Sequence, residues 1–315
     1  MASLHVEGWA PEYGPAIEPD ESLAPAEGEV DSGVEAGGAW EPIPGDDDGV
    51  PVLAFVDGVR RIDARLTVDD AEAGPIPGLC ASFGAGAVLW HRGERRSEIV
   101  ETRVERLAVL AVGRSELFPA VSPELAYRTE TVADADPASL VRHVHDRMRR
   151  AEAELAERLA ADGYFVVADG PINELSSLPK VGYVKSHRVS YLPVERAAVI
   201  AALRPGQRTP LFTLGAYRRY SWYLRLAEVP GGHSWSGVVR CEASGSIALN
   251  EVRAVADRTA AVLPLVASEG HIDPRAPQNL VPIAALERQL RRLLGDPDLV
   301  YRALLAAVAR REAVA

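Results

Sequence analysis

The chain predicts an α/β fold, a sheet of mixed direction with antiparallel first strands and later parallel ones, flanked by helices and followed by C-terminal helices. Three observations predict it. The segments PVLAFV at 51–56 and GYFVVA at 163–168 are apolar without alternation, as in strands covered on both faces. Alternating segments follow the first of them. A long stretch of helical period separates the two, and further helical patterns close the chain.

Residues 1–50 contain 13 Asp or Glu and no Lys or Arg. With their Pro, Gly and Ala, residues 1–49 read as an extended or partly disordered arm ahead of one domain over 50–315. Trp9 and Trp40 either anchor that arm, on the body or on a second subunit, or are incidental aromatics of a solvated tail. The 315-residue chain has a net charge of −11, yet beyond residue 50 it holds 34 basic and 32 acidic side chains. The total therefore does not exclude a polyanionic partner. No signal peptide and no run of membrane-spanning length is visible, which predicts a cytoplasmic protein with no membrane partner. Cys80 and Cys241 lack metal-type spacing and read as reduced core residues.

The first buried strand runs into Asp57-Gly58, and Arg60–Val68 (RRIDARLTV) is expected to turn back beside it. Gly78–His91 and Ile99–Val112 extend this antiparallel run. Asp136-Pro137 reads as an N-cap and first-turn proline, opening a helix that ends near Gly163. Its apolar stripe holds Leu140, Val141, Val144, Met148, Leu155 and Leu159. Glu152 falls inside the stripe, whereas Glu154 and Glu157 fall on the polar side. A carboxylate on a buried helix face is costly without a partner.

The second buried strand runs into Asp169-Gly170. A strand at Val181–Lys185, a helix at about Pro193–Leu203 and strands at Pro210–Leu214, Ser221–Leu226 and Gly237–Glu242 come next. Helices are expected over Leu249–Val266, Ile283–Leu294 and Asp298–Glu312.

Asp-Gly is a common turn dipeptide whose Asp caps its own backbone. Two such acids at the ends of buried strands, joined by Glu152, instead suggest a shared divalent cation. Hard oxygen ligands suit manganese or magnesium, and no Cys or His cluster points to zinc. His143 and His145 read as surface residues.

Three antiparallel strands, a helix and a parallel strand is the order of ribonuclease-H-like folds. The motifs FVDGVRR at 55–61, Glu152, VVADGPI at 166–172, VGYVKSH at 181–187, SWYLRL at 221–226, VVRCE at 238–242 and HIDPRAPQNLVPI at 271–283 together resemble the NurA nucleases, which pair with the HerA ATPase in DNA end processing. The resemblance implies a manganese- or magnesium-dependent DNA nuclease, a 5′–3′ exonuclease and single-strand endonuclease. It also implies a homodimer docked on a hexameric HerA-type ATPase. The family's metal-binding acids fall on Asp57, Glu152 and Asp169, and its tyrosine and late histidine fall nearest Tyr223 and His271. A non-catalytic docking partner and a ribonuclease are the alternatives.

Phosphodiester hydrolysis needs an activated water and a neutralised leaving oxygen, which two divalent ions about 3.5–4 Å apart supply. Lys185 either orients the phosphate or nucleophile or extends to water from a strand end. Arg60 and Arg61 contact phosphate or form an exposed pair on an edge strand. Arg218, Arg219, Tyr220 and Trp222 have the basic and aromatic composition of a surface that stacks single-stranded bases, which strand packing also explains. Arg147, Arg149 and Arg150 contact phosphate or form a solvated helix face.

Overall fold

A computed structural model describes residues 3–6, 30–35, 40–72, 74–113, 118–172, 176–185, 191–215 and 219–312. The arm contributes β1 (Ser3–Val6), β2 (Val30–Asp31) and β3 (Ile43–Pro44). Three long strands open the body, β4 (Val52–Asp70), β5 (Gly74–His91) and β6 (Arg96–Ala111), followed by β7 (Arg128–Val132). Next come α1 (Pro137–Ala161), β8 (Phe165–Asp169), β9 (Lys180–Val184) and α2 (Val194–Ala202). The remainder is β10 (Gln207–Arg208), β11 (Phe212–Leu214), β12 (Arg219–Arg225), β13 (Val238–Ser244), α3 (Leu249–Val262) with a 3-10 turn at Leu263–Val266, α4 (Val281–Leu293) and α5 (Pro297–Glu312).

These strands form one mixed sheet in the order β2-β11-β12-β13-β9-β8-β4-β5-β6-β7. β4, β5 and β6 are antiparallel, while β8 lies parallel to β4 and β9 parallel to β8. That is the mixed arrangement expected from sequence. On one face, Leu53, Phe55, Phe165, Val167, Val181 and Tyr183 pack beneath α3 and α4. On the other, Ala54, Val56 and Val166 meet Leu155 and Leu159 of α1, and Phe83 and Leu107 meet Leu140, Val144 and Met148. Unbroken apolar runs are thus strands with a helix on each side, and each buried Leu, Val or Met contributes about 1.5–3 kcal/mol.

Helix α1 starts as its sequence indicates. Asp136 caps it, its side chain accepting from the Ala138 amide at 3.1 Å, with proline in the first turn.

The expected reversal after Asp57-Gly58 does not occur. β4 runs on to Asp70, paired with β5 along its length, with an irregularity between Ile62 and Ala64. Gly58 is not among the residues of positive φ, so it continues the strand instead of turning it. Chain reversal falls after Asp70, whose Oδ1 accepts from the Glu72 amide at 2.9 Å. RRIDARLTV therefore alternates as the second half of one strand.

The described parts of the arm are extended and attached to the body. β1 pairs with β4 from Leu66 to Asp69, β2 with β11 and β3 with β10. Glu35 forms a bidentate pair with buried Arg208 at 2.8 Å on both sides, and Asp47 and Asp48 meet Arg92 and Arg258. Trp40 sits under Arg196, 5.0 Å from guanidinium carbon to ring centre. Trp9 lies outside the described residues. Cys80 and Cys241 are buried and unbridged. No described helix is long and apolar enough to cross a membrane.

Candidate metal centre

The pleat decides where each acid points. In β4, Phe55, Asp57 and Val59 share the face of α4, while Val56 and Gly58 share the face of α1. In β8, Asp169 follows Phe165 and Val167 onto the α4 face. Because β8 pairs with β4 through Leu53–Val56, its terminal Asp169 arrives beside Asp57. The third acid comes from α4. Ligand oxygens of Asp57, Asp169 and Glu287 all lie within 4.8 Å of one another.

Helix α4 reaches them because of the glycines of β5. Gly86 pairs with Asp57, and a Cβ there would stand 2.7 Å from the Glu101 carbonyl and 3.0 Å from Leu286 Cδ1. Absence of that carbon lets the helix settle close enough for Glu287 to reach β4.

Asp57 is only 4 % exposed. Its Oδ1 accepts from the Gly58 amide at 2.8 Å, but its buried Oδ2 has no hydrogen-bond partner among the described residues. Burial first, then the Asp169 carboxylate, pushes its pKa well above the ordinary carboxylate range; Lys185 opposes them, while Glu152 and Glu287 add to the rise. Lys185 stands beside the group, its side chain partly exposed. Its Nζ donates to Asp169 Oδ2 at 2.8 Å and to Asn279 Oδ1 at 2.9 Å, and lies 3.9 Å from Glu287. Burial opposes the lysine's charge, but Asp169, Asp57 and Glu287 raise its pKa overall.

A second ring holds these groups. Asn279 Nδ2 donates to Asp273 Oδ2 at 2.6 Å, and Arg275 grips Glu287 through both oxygens at 3.1 and 2.8 Å. Despite the cost of its burial, the Asn279 and Arg275 hydrogen bonds bring the Asp273 carboxyl down to about 2. Arg149 donates to the carbonyls of Asp169 and Pro171 at 2.9 and 3.0 Å, fixing the bend at Gly170, whose φ is 87°.

Glu152 is buried, as its place in the helical stripe requires, but it stands outside the compact group. It lies on the α1 face of β4, where a Cβ on Gly58 would run into its Oε1. Its charge acts on Asp57 across the strand.

The remaining sequence candidates disperse. Tyr223 lies on β12, with β13, β9 and β8 between it and β4, and fills the core: its ring stacks on Phe212 at 5.7 Å and meets Trp235 edge-on at 5.4 Å. Burial pushes its hydroxyl up to about 12. The His271 side chain is 73 % exposed and lies beside Glu269. Trp222 is fully buried and donates to Thr259 Oγ1 at 3.0 Å, so it offers no face to a base. Arg219 is buried against Glu242 at 2.6 Å, and Tyr220 is partly buried against the core. Arg218 lies outside the described residues.

Arg61 is occupied with Asp63 and the carbonyls of Leu294 and Gly295, capping the end of α4. Arg60 is partly buried and lies close enough to His145 to lower that residue's pKa. Neither nearby histidine is a plain surface residue. His143 bonds Glu130 at 2.6 Å, and burial, with Arg149 and Arg60 beside it, brings His145 down to about 4.

Sequence reasoning passed over Glu287, although it carries the same signal as Glu152. It falls four residues after Ile283 and three before Leu290, a lone acid on a buried helix face.

The group fits a hard divalent cation in donor type, and the unpartnered Asp57 Oδ2 is the atom such an ion would satisfy.

The chain is similar to the NurA nuclease from Sulfolobus solfataricus. Alignment with that crystal structure covers 82 % of this chain and 86 % of the other at 13 % identity, with a TM-score of 0.40. For the catalytic domain of human endonuclease V the figures are 79 %, 85 %, 14 % and 0.34. No family model and no curated protein matches. Both likenesses are distant, so the chemistry rests on the chain's own residues.

Proposed function

We propose that the chain is a divalent-metal-dependent nuclease cutting DNA with manganese or magnesium, in the manner of a 5′–3′ exonuclease and single-strand endonuclease. The observation that carries this reading is the buried, unpartnered Asp57 oxygen among three converging carboxylates at the carboxyl end of a parallel strand. A buried carboxylate oxygen without a hydrogen-bond donor calls for a cation or a proton to meet it.

Asp57, Asp169 and Glu287 would hold the metal, with Glu152 completing the charge from the far side of β4. Bound there, divalent ions would lower the pKa of a water and neutralise the leaving oxygen. The chain's own residues do the rest. Lys185, held by Asn279 and Asp169, presents an ammonium where a scissile phosphate enters. Arg275 fixes the rotamer of Glu287, and Arg149 fixes the backbone that carries Asp169. Recession of Asp57 excludes bulk water from its side of the centre.

A homodimer working in DNA end resection and double-strand-break repair with a hexameric HerA-type ATPase is the partnership the family resemblance suggests. The decisive experiment uses end-labelled single- and double-stranded DNA, and RNA, with manganese or a chelator, with and without such an ATPase. Manganese-dependent DNA cleavage that Asp57→Asn abolishes is the expected result; cleavage unchanged by the substitution refutes the site.

A second reading, a non-catalytic docking partner, draws on Lys185, whose ammonium already sits among the acids. Absence of any cleavage in every arm of the same experiment would favour it.

A further inference from the structure

We infer that the exposed flank of α4, formed by Arg288, Arg291 and Arg292, is a track for the sugar–phosphate backbone of a single strand on its way to the carboxylates. The inference rests on the nuclease reading above and adds a binding surface to it.

Helix geometry supplies the first argument. At about 100° per residue, Arg291 lies one turn beyond Glu287 and roughly 40° round from it, with Arg288 and Arg292 roughly 100° and 140° round on the same side. The opposite flank carries Leu286 and Leu293. The basic side of α4 therefore adjoins the side that delivers Glu287 to the metal centre.

The second argument is where the helix goes. Its C-terminal carbonyls, those of Leu294 and Gly295, sit on Arg61, four residues beyond Asp57 along β4. Over that interval β4 has no neighbour on one side among the described residues, since β8 pairs only as far as Val56 and β1 begins at Leu66. The arginines thus lie on the helix whose end reaches this margin of β4, which starts at Asp57. Ligands of open α/β sheets bind beyond the carboxyl ends of their strands.

Charge is the third. Nearby guanidiniums are already engaged: Arg61 with Asp63, Arg149 with two carbonyls, and Arg275 with Asp273 and Glu287. Arg288, Arg291 and Arg292 are exposed and form no ion pair among the described residues. Three unneutralised cations within about 6 Å of helix rise suit successive phosphates. An extended single strand, rather than a rigid duplex, can lie on them and still dip to a carboxylate as deep as Asp57.

The test is fluorescence anisotropy of labelled oligothymidine across a salt series in EDTA, so that no cleavage contributes. Arg288→Gln, Arg291→Gln and Arg292→Gln are combined in one variant, with Arg302→Gln on α5 as the remote control and thermal melting to confirm folding. The triple variant is expected to bind at least tenfold more weakly, and its slope of log affinity against log salt to fall by about 2, roughly 0.7 per lost phosphate contact. Arg302→Gln should match the unsubstituted protein. No oligothymidine binding by the unsubstituted protein, an unchanged slope in the triple variant, or an equal loss in Arg302→Gln would each overturn the track. Because the readout needs no metal, a failed cleavage assay leaves this result standing and removes only the nuclease.

Discussion

Gly86→Ala tests whether the metal centre depends on how closely α4 approaches β5. The added carbon would meet the Glu101 carbonyl at 2.7 Å and Leu286 Cδ1 at 3.0 Å, with Leu290 Cδ2 at 3.3 Å. The carbonyl belongs to the backbone of β6 and cannot rotate away, so β5 must shift from it and press on Leu286 and Leu290, which pushes α4 outward. Overpacking of this kind costs about 1–3 kcal/mol. Alanine returns about 0.5–1 kcal/mol through the smaller entropy of its unfolded chain. A net loss of about 1–2 kcal/mol, within the range those two effects leave, corresponds to a Tm lower by roughly 1.5–3 °C for a chain of 315 residues. Gly84→Ala is the matched control, since its nearest contacts are a leucine methyl at 3.3 Å and a carbonyl at 3.6 Å. Differential scanning fluorimetry with and without saturating manganese reads both consequences. The unsubstituted protein should gain about 2.7 kcal/mol at 100 times the Kd. Gly86→Ala should gain clearly less, because Glu287 has moved off the site. If Gly86→Ala melts with Gly84→Ala and keeps the full manganese gain, the glycine does not set the position of α4.

Three other outcomes are expected. Asp57 has a raised pKa in the fold, so its contribution is complete below the unfolded pKa and is lost as pH rises through the folded one; metal-free Tm measured from about pH 4 to 9 should fall less in Asp57→Asn than in the unsubstituted protein. Parallel pH curves would show that the carboxyl is not held protonated. In calorimetry, Glu287→Gln should weaken manganese binding by about tenfold or more, the loss typical even of an outer partner of a metal, whereas Glu152→Gln should have the smaller effect; the reverse ranking would move the third ligand to α1. Arg208→Ala strands Glu35 and Asp257 and should cost about 3–5 kcal/mol in urea unfolding. A loss below about 1 kcal/mol would mean the arm is not anchored there.

Patterns that report burial were legible in the sequence. Unbroken apolar runs identified β4 and β8, the Asp-Pro pair placed the start of α1, and the stripe on α1 identified Glu152 as buried. Patterns that depend on what approaches through space were not. Periodicity shows that an acid faces inward, but Glu152 and Glu287 face inward on opposite sides of one strand, and only the pleat of β4 decides which of them meets Asp57. Trp222 and Tyr223 lie in the core, away from the carboxylates, for a related reason: an alternating aromatic strand has the same composition whether its rings stack on a base or on Phe212. RRIDARLTV misled because an Asp-Gly before an alternating segment usually marks a hairpin, whereas here β5 is long enough to accompany it without a turn.

The acidic arm changes what a shortened protein would measure. Glu35, Asp47 and Asp48 screen Arg208, Arg92 and Arg258 on the body. A fragment starting at residue 50 would bare Arg92 and Arg258 and leave Arg208 only Asp257, and its adhesion to any polyanion would rise without selectivity. Affinities from such a fragment would describe an artificial surface, so selectivity is best judged on the 315-residue chain.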